Sequence, residues 1–287
     1  MRIPPYWRKE QYCGRDRNGR ERCYEAWGWS FDSPEDARAD AAARAERRFN
    51  RPDTSLSPER YDYLDRPLRE EIVESIAHED RDSALITRNR YGCLVLNTAF
   101  VCFVDVDYPP PRGAGILDGL LLAFSARRRR ERAQALREST KREVMDWAAE
   151  NPQRGFRLYE TAAGLRLLFT DQLYAPGSNE VAALFEALHS DMLYRRLTVK
   201  QECFRARLTP KPWRCACPKP PNQYPWESDA DEHRYRQWER DYYERTKNRP
   251  VCRVLDIFGP DAEEKEISAI VNIHDHYTCL DSDQPLA

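Results

Sequence analysis

Phe103-Val104-Asp105-Val106-Asp107 sets two carboxylates two residues apart at the end of an apolar run. On a strand both leave the same face, about 7 Å apart. Two such charges repel unless a cation sits between them. A hard divalent ion, Mg2+ or Mn2+, takes oxygen ligands of this kind. Metal-dependent phosphoryl and nucleotidyl transfer sites begin with such a pair. The plainer alternative is a strand end whose aspartates face water or bind backbone amides.

Three further groups could work with these acids. Tyr159-Glu160-Thr161-Ala162-Ala163-Gly164-Leu165-Arg166 reads as a turn into a strand, with Gly164 supplying a positive φ. Arg166 alternates with Leu165 and Leu167, so it must meet an anion or a carboxylate on its own side. In Phe204-Arg205-Ala206-Arg207-Leu208 the two arginines share one strand face and the apolar residues the other, and Lys211 follows. A guanidinium donates two hydrogen bonds at once to a phosphate. The same arginines would equally suit structural ion pairs. Asp256, in Val254-Leu255-Asp256-Ile257-Phe258, is either a third carboxylate or a core acid paired with an arginine.

This order of motifs resembles the archaeo-eukaryotic primase superfamily over roughly residues 90–260. The resemblance implies an RRM-like palm that joins nucleotides with metal ions. It would make Asp105 and Asp107 the first metal motif, place Thr161, Gly164 and Arg166 in the second, and make Asp256 the third. Where that family carries histidine in the second motif, this chain carries Arg166. The expected function is therefore a divalent-metal-dependent nucleotide- or nucleic-acid-handling protein, with Asp105, Asp107 and Asp256 catalytic. Thr161, Gly164, Arg166, Arg205, Arg207 and Lys211 would bind nucleotide or phosphate. The rival, favoured by Arg166, is a non-catalytic module binding nucleic acid or a partner on a degenerate palm-like sheet.

The elements that must position these residues follow from periodicity. Asn18-Gly19 marks a hairpin turn, and Ser33-Pro34 starts a helix with an Ala37, Ala41, Ala45 stripe. The expected organisation is a hairpin plus helix over 1–50, a linker or long loop over 51–66, and a main domain over 67–287. Within it we expect a helix over 67–76, a hairpin of 91–96 with 99–107 about Asn97-Thr98, and a Gly113-Ala114-Gly115 loop. A long helix over 126–150, a hairpin of 156–159 with 165–170, and a helix carrying Val181, Leu184 and Phe185 follow. A strand at 203–208, a helix over 229–247, a strand at 251–258 and a helix over 262–274 complete the chain. Such an order gives an α+β fold: a mixed, mainly antiparallel palm or RRM-like sheet with helices packed on one face.

Charge and cysteine content narrow the remaining classes. Lys and Arg number 46 and Asp and Glu 48, a net charge of −2 that offers no global attraction to nucleic acid. A polyanion must find a local cluster, such as Arg127 to Arg130 at a helix start, where cations oppose the helix dipole. Met1-Arg2-Ile3-Pro4-Pro5 does not read as a signal peptide, and no apolar run is long enough to span a membrane. A cytoplasmic protein with buried free thiols is the expectation. Zinc is not expected. Cys215-Ala216-Cys217 and His274-Asp275-His276 with Cys279 lack paired ligand spacing, and residues two apart on a helix do not share a face. Cys13 and Cys23 make no better pair.

Overall fold

The computed structural model describes residues 1–16, 18–50, 66–78, 81–111, 125–261, 263–281 and 283–287. The Gly113-Ala114-Gly115 loop and nearly all of the 51–66 linker lie outside them.

The chain opens with an antiparallel hairpin, β1 (Tyr6–Arg15) and β2 (Glu21–Ser30), turning at Gly19 with φ +75. Its register sets Cys13 opposite Cys23, and the two are joined as a disulfide. The remaining cysteines are unbonded. Helix α1 (Pro34–Asn50) starts at Ser33, whose Oγ accepts from Asp36 N at 3.1 Å. Ala37, Ala41 and Ala45 are fully buried on its inner side. A Cβ on Gly28 would stand 2.1 Å from Ala41 N, so a bare backbone is required where hairpin and helix touch.

Two four-stranded antiparallel sheets form the body. The first has the order β3 (Glu71–His78), β4 (Arg81–Arg88), β5 (Leu94–Thr98), β9 (Phe204–Arg207). The second has the order β10 (Cys252–Phe258), β7 (Phe156–Thr161), β8 (Gly164–Phe169), β6 (Phe103–Asp107). The α+β class and the antiparallel pairing are those expected.

Two local expectations fail. The helix expected over 67–76 is replaced by β3, whose Ile72, Val73 and Ile76 suit a strand better than a helix. The segments expected as one hairpin about Asn97-Thr98 instead enter different sheets. The backbone between them bonds elsewhere: Ala99 N to Ser83 O, Phe169 N to Cys102 O and Tyr174 N to Phe100 O. These bonds turn the chain out of the first sheet and into the second.

The helices are α2 (Ala126–Glu150), α3 (Asn179–Ala187), α4 (Met192–Gln201), α5 (Asp229–Thr246) and α6 (Lys265–Thr278). Trp147 of α2 lies 5.9 Å from Phe156 and 6.3 Å from Phe169 on one face of the second sheet. On the other face His274 of α6 meets Phe103 at 5.6 Å and Tyr159 at 4.7 Å. The helices thus divide between the two faces of this sheet. Tyr235, Trp238 and Tyr242 of α5 form a separate aromatic cluster with Cys217. Among the described residues no helix is long and apolar enough to cross a membrane.

Helix α4, absent from the periodicity reading, marks where the two sheets meet. Asp191 caps it, its Oδ1 accepting from Leu193 N and Tyr194 N at 2.9 Å. The Tyr194 hydroxyl lies 3.1 Å from Phe103 O on β6 and 3.3 Å from Arg205 O on β9. A phenol therefore bridges two strands of neighbouring sheets, and the acids of β6 and the arginines of β9 flank this seam.

Candidate functional site at the seam of two sheets

Asp105 and Asp107 share a face, as strand alternation requires. Asp105 pairs in register with Arg166 and Asp107 with Gly164. Arg166 grips Asp105 with both arms of its fork, Nε to Oδ1 at 2.8 Å and Nη2 to Oδ2 at 3.1 Å. Its Nη1 donates to Arg207 O at 3.1 Å and lies 3.4 Å from His274 Nε2. Burial alone would lower the Arg166 pKa, but Asp105 overrides it and raises it.

His274 is held from behind. Burial depresses its pKa, so the ring is neutral. Its Nδ1 lies 3.0 Å from Asp275 Oδ1, which makes Nδ1 the donor and leaves Nε2 to accept from Arg166. Asp275 is fixed in turn by Arg157 at 2.9 Å and by the Tyr159 hydroxyl at 2.7 Å. The chain of contacts leaves Arg166 one orientation, turned onto Asp105.

Of the cations beyond Arg166, Arg205 has a carboxylate partner, and Arg207, Lys211 and Arg214 form no ion pair among the described residues. Arg205 and Arg207 leave β9 on one face, but their fates differ. Arg205 Nη2 donates to both Glu70 oxygens at 2.8 Å, and Glu70 also accepts from Thr87 Oγ1 at 2.5 Å. Arg205 is thus a structural pair. Arg207 forms no ion pair among the described residues, and its Nε is buried without a hydrogen-bond partner. Burial lowers the Arg207 pKa, and Arg166 and Arg214 lower it further. Lys211 is lowered by burial and then by Arg207 and Arg214. Arg214 Nη1 is likewise buried and unpartnered. Three cations thus converge and repel one another.

Asp107 faces this group from the exposed end of β6. Partial burial of its carboxyl raises the pKa, Asp105 and Asp191 raise it further, and Lys211 and Arg214 oppose the shift. Three acids and three cations therefore interact across the mouth of the seam.

Three expected site residues have other places. Asp256 pairs with Leu158, Leu158 with Leu167, and Leu167 with Val104. Directly paired residues share a face, so Asp256 lies on the face opposite Asp105. Strand order also sets β10 three strands from β6, ~14 Å at the usual spacing. Asp256 is exposed there, and its Oδ1 accepts from Ile257 N at 2.9 Å. The cause is a bulge between Val254 and Asp256, which shifts the alternation by one residue. Thr161 is engaged by its own turn: Oγ1 donates to Gly164 O and accepts from Gly164 N, both at 3.1 Å. Gly164 does not adopt a positive φ. A Cβ there would stand 2.1 Å from Val106 O, so the glycine permits close approach of β8 to β6.

Arg214, Asp191, Tyr194 and His274 were not selected for this site from sequence. Arg214 follows Lys211 by three residues and continues the same basic run; that was its one available signal. The others reach the seam through folding alone. Among the described residues no three His, Cys, Asp or Glu side chains gather as a metal-binding group. His274 is buried and His276 exposed, so the two diverge as a helix dictates. No family model matches the chain, and no curated protein or solved structure matches it.

Proposed function

We propose that the chain binds the phosphates of a nucleotide or nucleic acid at Arg207, Lys211 and Arg214, as a binding module on a palm-like sheet. The observation that carries this reading is the convergence of three cations with no ion pair among the described residues. Cations taken partly out of water without a counter-charge are costly, and an arriving phosphate relieves both the burial and the mutual repulsion. Arg207 Nε and Arg214 Nη1 are buried without hydrogen-bond partners, so neither guanidinium is fully satisfied within the fold. Arg166 supports the site from below: it bonds the backbone of Arg207 and neutralises Asp105. A net charge of −2 makes the attraction local to this cluster. The seven unbonded cysteines suit a reducing, cytoplasmic setting, whereas the Cys13–Cys23 disulfide suits an oxidising one.

The test is oligonucleotide binding by fluorescence anisotropy across a salt series. Lys211→Ala with Arg214→Ala is expected to weaken binding at least about tenfold and to reduce the salt slope by about 2. Unchanged affinity and slope would refute the reading.

A second reading keeps catalysis, with Mg2+ or Mn2+ held by Asp107 beside Asp105 for nucleotidyl transfer. The elevated pKa of Asp107 favours it, because a carboxyl that resists ionisation beside other acids gains from a cation. The engagement of Asp105 by Arg166 weighs against it, as does the position of Asp256. Asp107→Asn separates the two. It abolishes Mn2+-stimulated binding if the metal is required, and it preserves or tightens binding if the cations alone hold phosphate.

A further inference from the structure

The cationic cluster has an aromatic neighbour that phosphate binding does not use. Trp213 lies between Lys211 and Arg214 in sequence and is 49% exposed, a large apolar surface to leave in water. Lys211 Nζ stands 5.6 Å from the centre of its ring, so ring and cluster are contiguous. Tyr91 meets the ring edge-on at 5.3 Å, at an interplanar angle of 84°. The Arg90 guanidinium covers Tyr91 at 4.7 Å and its Nη2 bonds the Tyr91 hydroxyl at 2.5 Å. Tyr91 and Lys211 together hold the ring in one orientation, and its 49% exposure leaves ring surface open to solvent. The brace comes from the loop before β5, and the ring from the turn after β9. These strands are hydrogen-bonded neighbours, so the pair is fixed by the sheet.

We propose that Trp213 is a stacking platform for a nucleobase whose phosphate lies on Arg207, Lys211 and Arg214. This rests on the phosphate-binding reading above and names the ligand class: an unpaired base joined to phosphate, carried by a single strand or a free nucleotide. A flat π-surface beside a cationic groove is the arrangement that holds single-stranded nucleic acid without reading its sequence. A duplex buries its base faces and offers the ring nothing. Inorganic phosphate would use the cations and ignore the ring.

The experiment compares oligo-dT, an abasic phosphodiester strand of equal length, and thymidine triphosphate, on the full chain at fixed salt. Trp213→Ala is expected to weaken oligo-dT about tenfold while leaving the abasic strand unchanged, and Trp213→Phe to retain most of the affinity. Lys211→Ala with Arg214→Ala should weaken both strands. If thymidine triphosphate shows the same dependence on Trp213, the ligand is a free nucleotide; if oligo-dT alone shows it, the ligand is a strand. Equal binding of abasic and thymidine strands by the wild type, or equal effects of Trp213→Ala on both, overturns the stacking role and leaves phosphate binding standing. Failure of the wild type to bind any of the three overturns both.

Discussion

Asp105 and Arg166 form an unequal pair. The Arg166 side chain is 4% exposed and that of Asp105 37%. Removing the acid strands a buried guanidinium, whereas removing the guanidinium leaves an acid that water reaches. Breaking a buried pair costs about 3–5 kcal/mol when the orphan stays dry. We therefore expect Asp105→Ala to cost about 3 kcal/mol in urea unfolding, and Arg166→Met, which keeps the volume, to cost less. Equal losses would contradict the asymmetry. Loss of ligand binding in Asp105→Ala consequently speaks poorly about metal, and Asp107 is the cleaner probe. Its pKa is raised from 3.8, so the fold slightly disfavours its ionised form. By linkage this effect favours the fold below the ordinary value and is lost as pH rises through the raised one. Asp107→Asn should then leave stability at pH 7 unchanged or greater. Anion affinity should rise as pH falls through the raised Asp107 value, and Asp107→Asn should flatten that rise. On the alkaline side, Lys211 is lowered from 10.5, so affinity should decline before that pH is reached. Anisotropy titrations across pH check both limbs.

At the scale of elements, the site depends on how closely β8 approaches β6. Gly164 allows that approach because no Cβ intrudes on Val106 O. Gly164→Ala must part the strands two residues from the Asp105–Arg166 pair. The expected cost is about 1–3 kcal/mol, seen in thermal melts, with weaker phosphate binding because Arg166 no longer sets Arg207. A melt and affinity equal to wild type would show that the strands accommodate the methyl. Helix α2 behaves differently along its length. Its buried residues are Thr140, Val144 and Ala148, all in its second half, while Arg127 to Arg130 are exposed. The arginine run is a solvated face partly matched by Glu131, which Arg127 meets at 2.8 Å. The run needs no ligand to exist, in contrast with the partly buried cations at the seam.

At the scale of the molecule, two sheets meet along β6 and β9, and the Tyr194 hydroxyl closes the gap. It reaches carbonyls of both strands and accepts from Arg205 N at 3.3 Å. Tyr194→Phe leaves buried backbone groups unsatisfied. It should cost about 1–3 kcal/mol by urea unfolding and loosen the spacing between Asp107 and Lys211, read as weaker anion binding. Unchanged stability would mean that water replaces the phenol. Much of this architecture was legible from local rules. The Ala37, Ala41, Ala45 stripe, the hairpin at Gly19 and the extent of α2 follow from propensity and period, which act over a few residues. The β5–β6 separation was not, because Ala99 to Cys102 read as a strand but bond to segments far along the chain. Helix α4 escaped because its apolar residues Met192, Leu193 and Val199 are exposed and lay no stripe.

Sequence by itself determined the alternations: Asp105 with Asp107 on one face, Arg205 with Arg207 on another, and a basic run continuing to Arg214. Those follow from the pleat, a property of each strand alone. Tertiary structure decided which charges are satisfied. Arg166 finds Asp105 across a separation of 61 residues, and Arg205 finds Glu70 across 135. Arg207 finds no carboxylate partner among the described residues. It also decided the place of Asp256, which strict alternation would have put on the face of Cys252 and Arg166, and which a single bulge turned to the other side. Ion pairing and bulges depend on neighbours that only the folded sheet supplies, so a residue's type announces its charge and the fold assigns its partner.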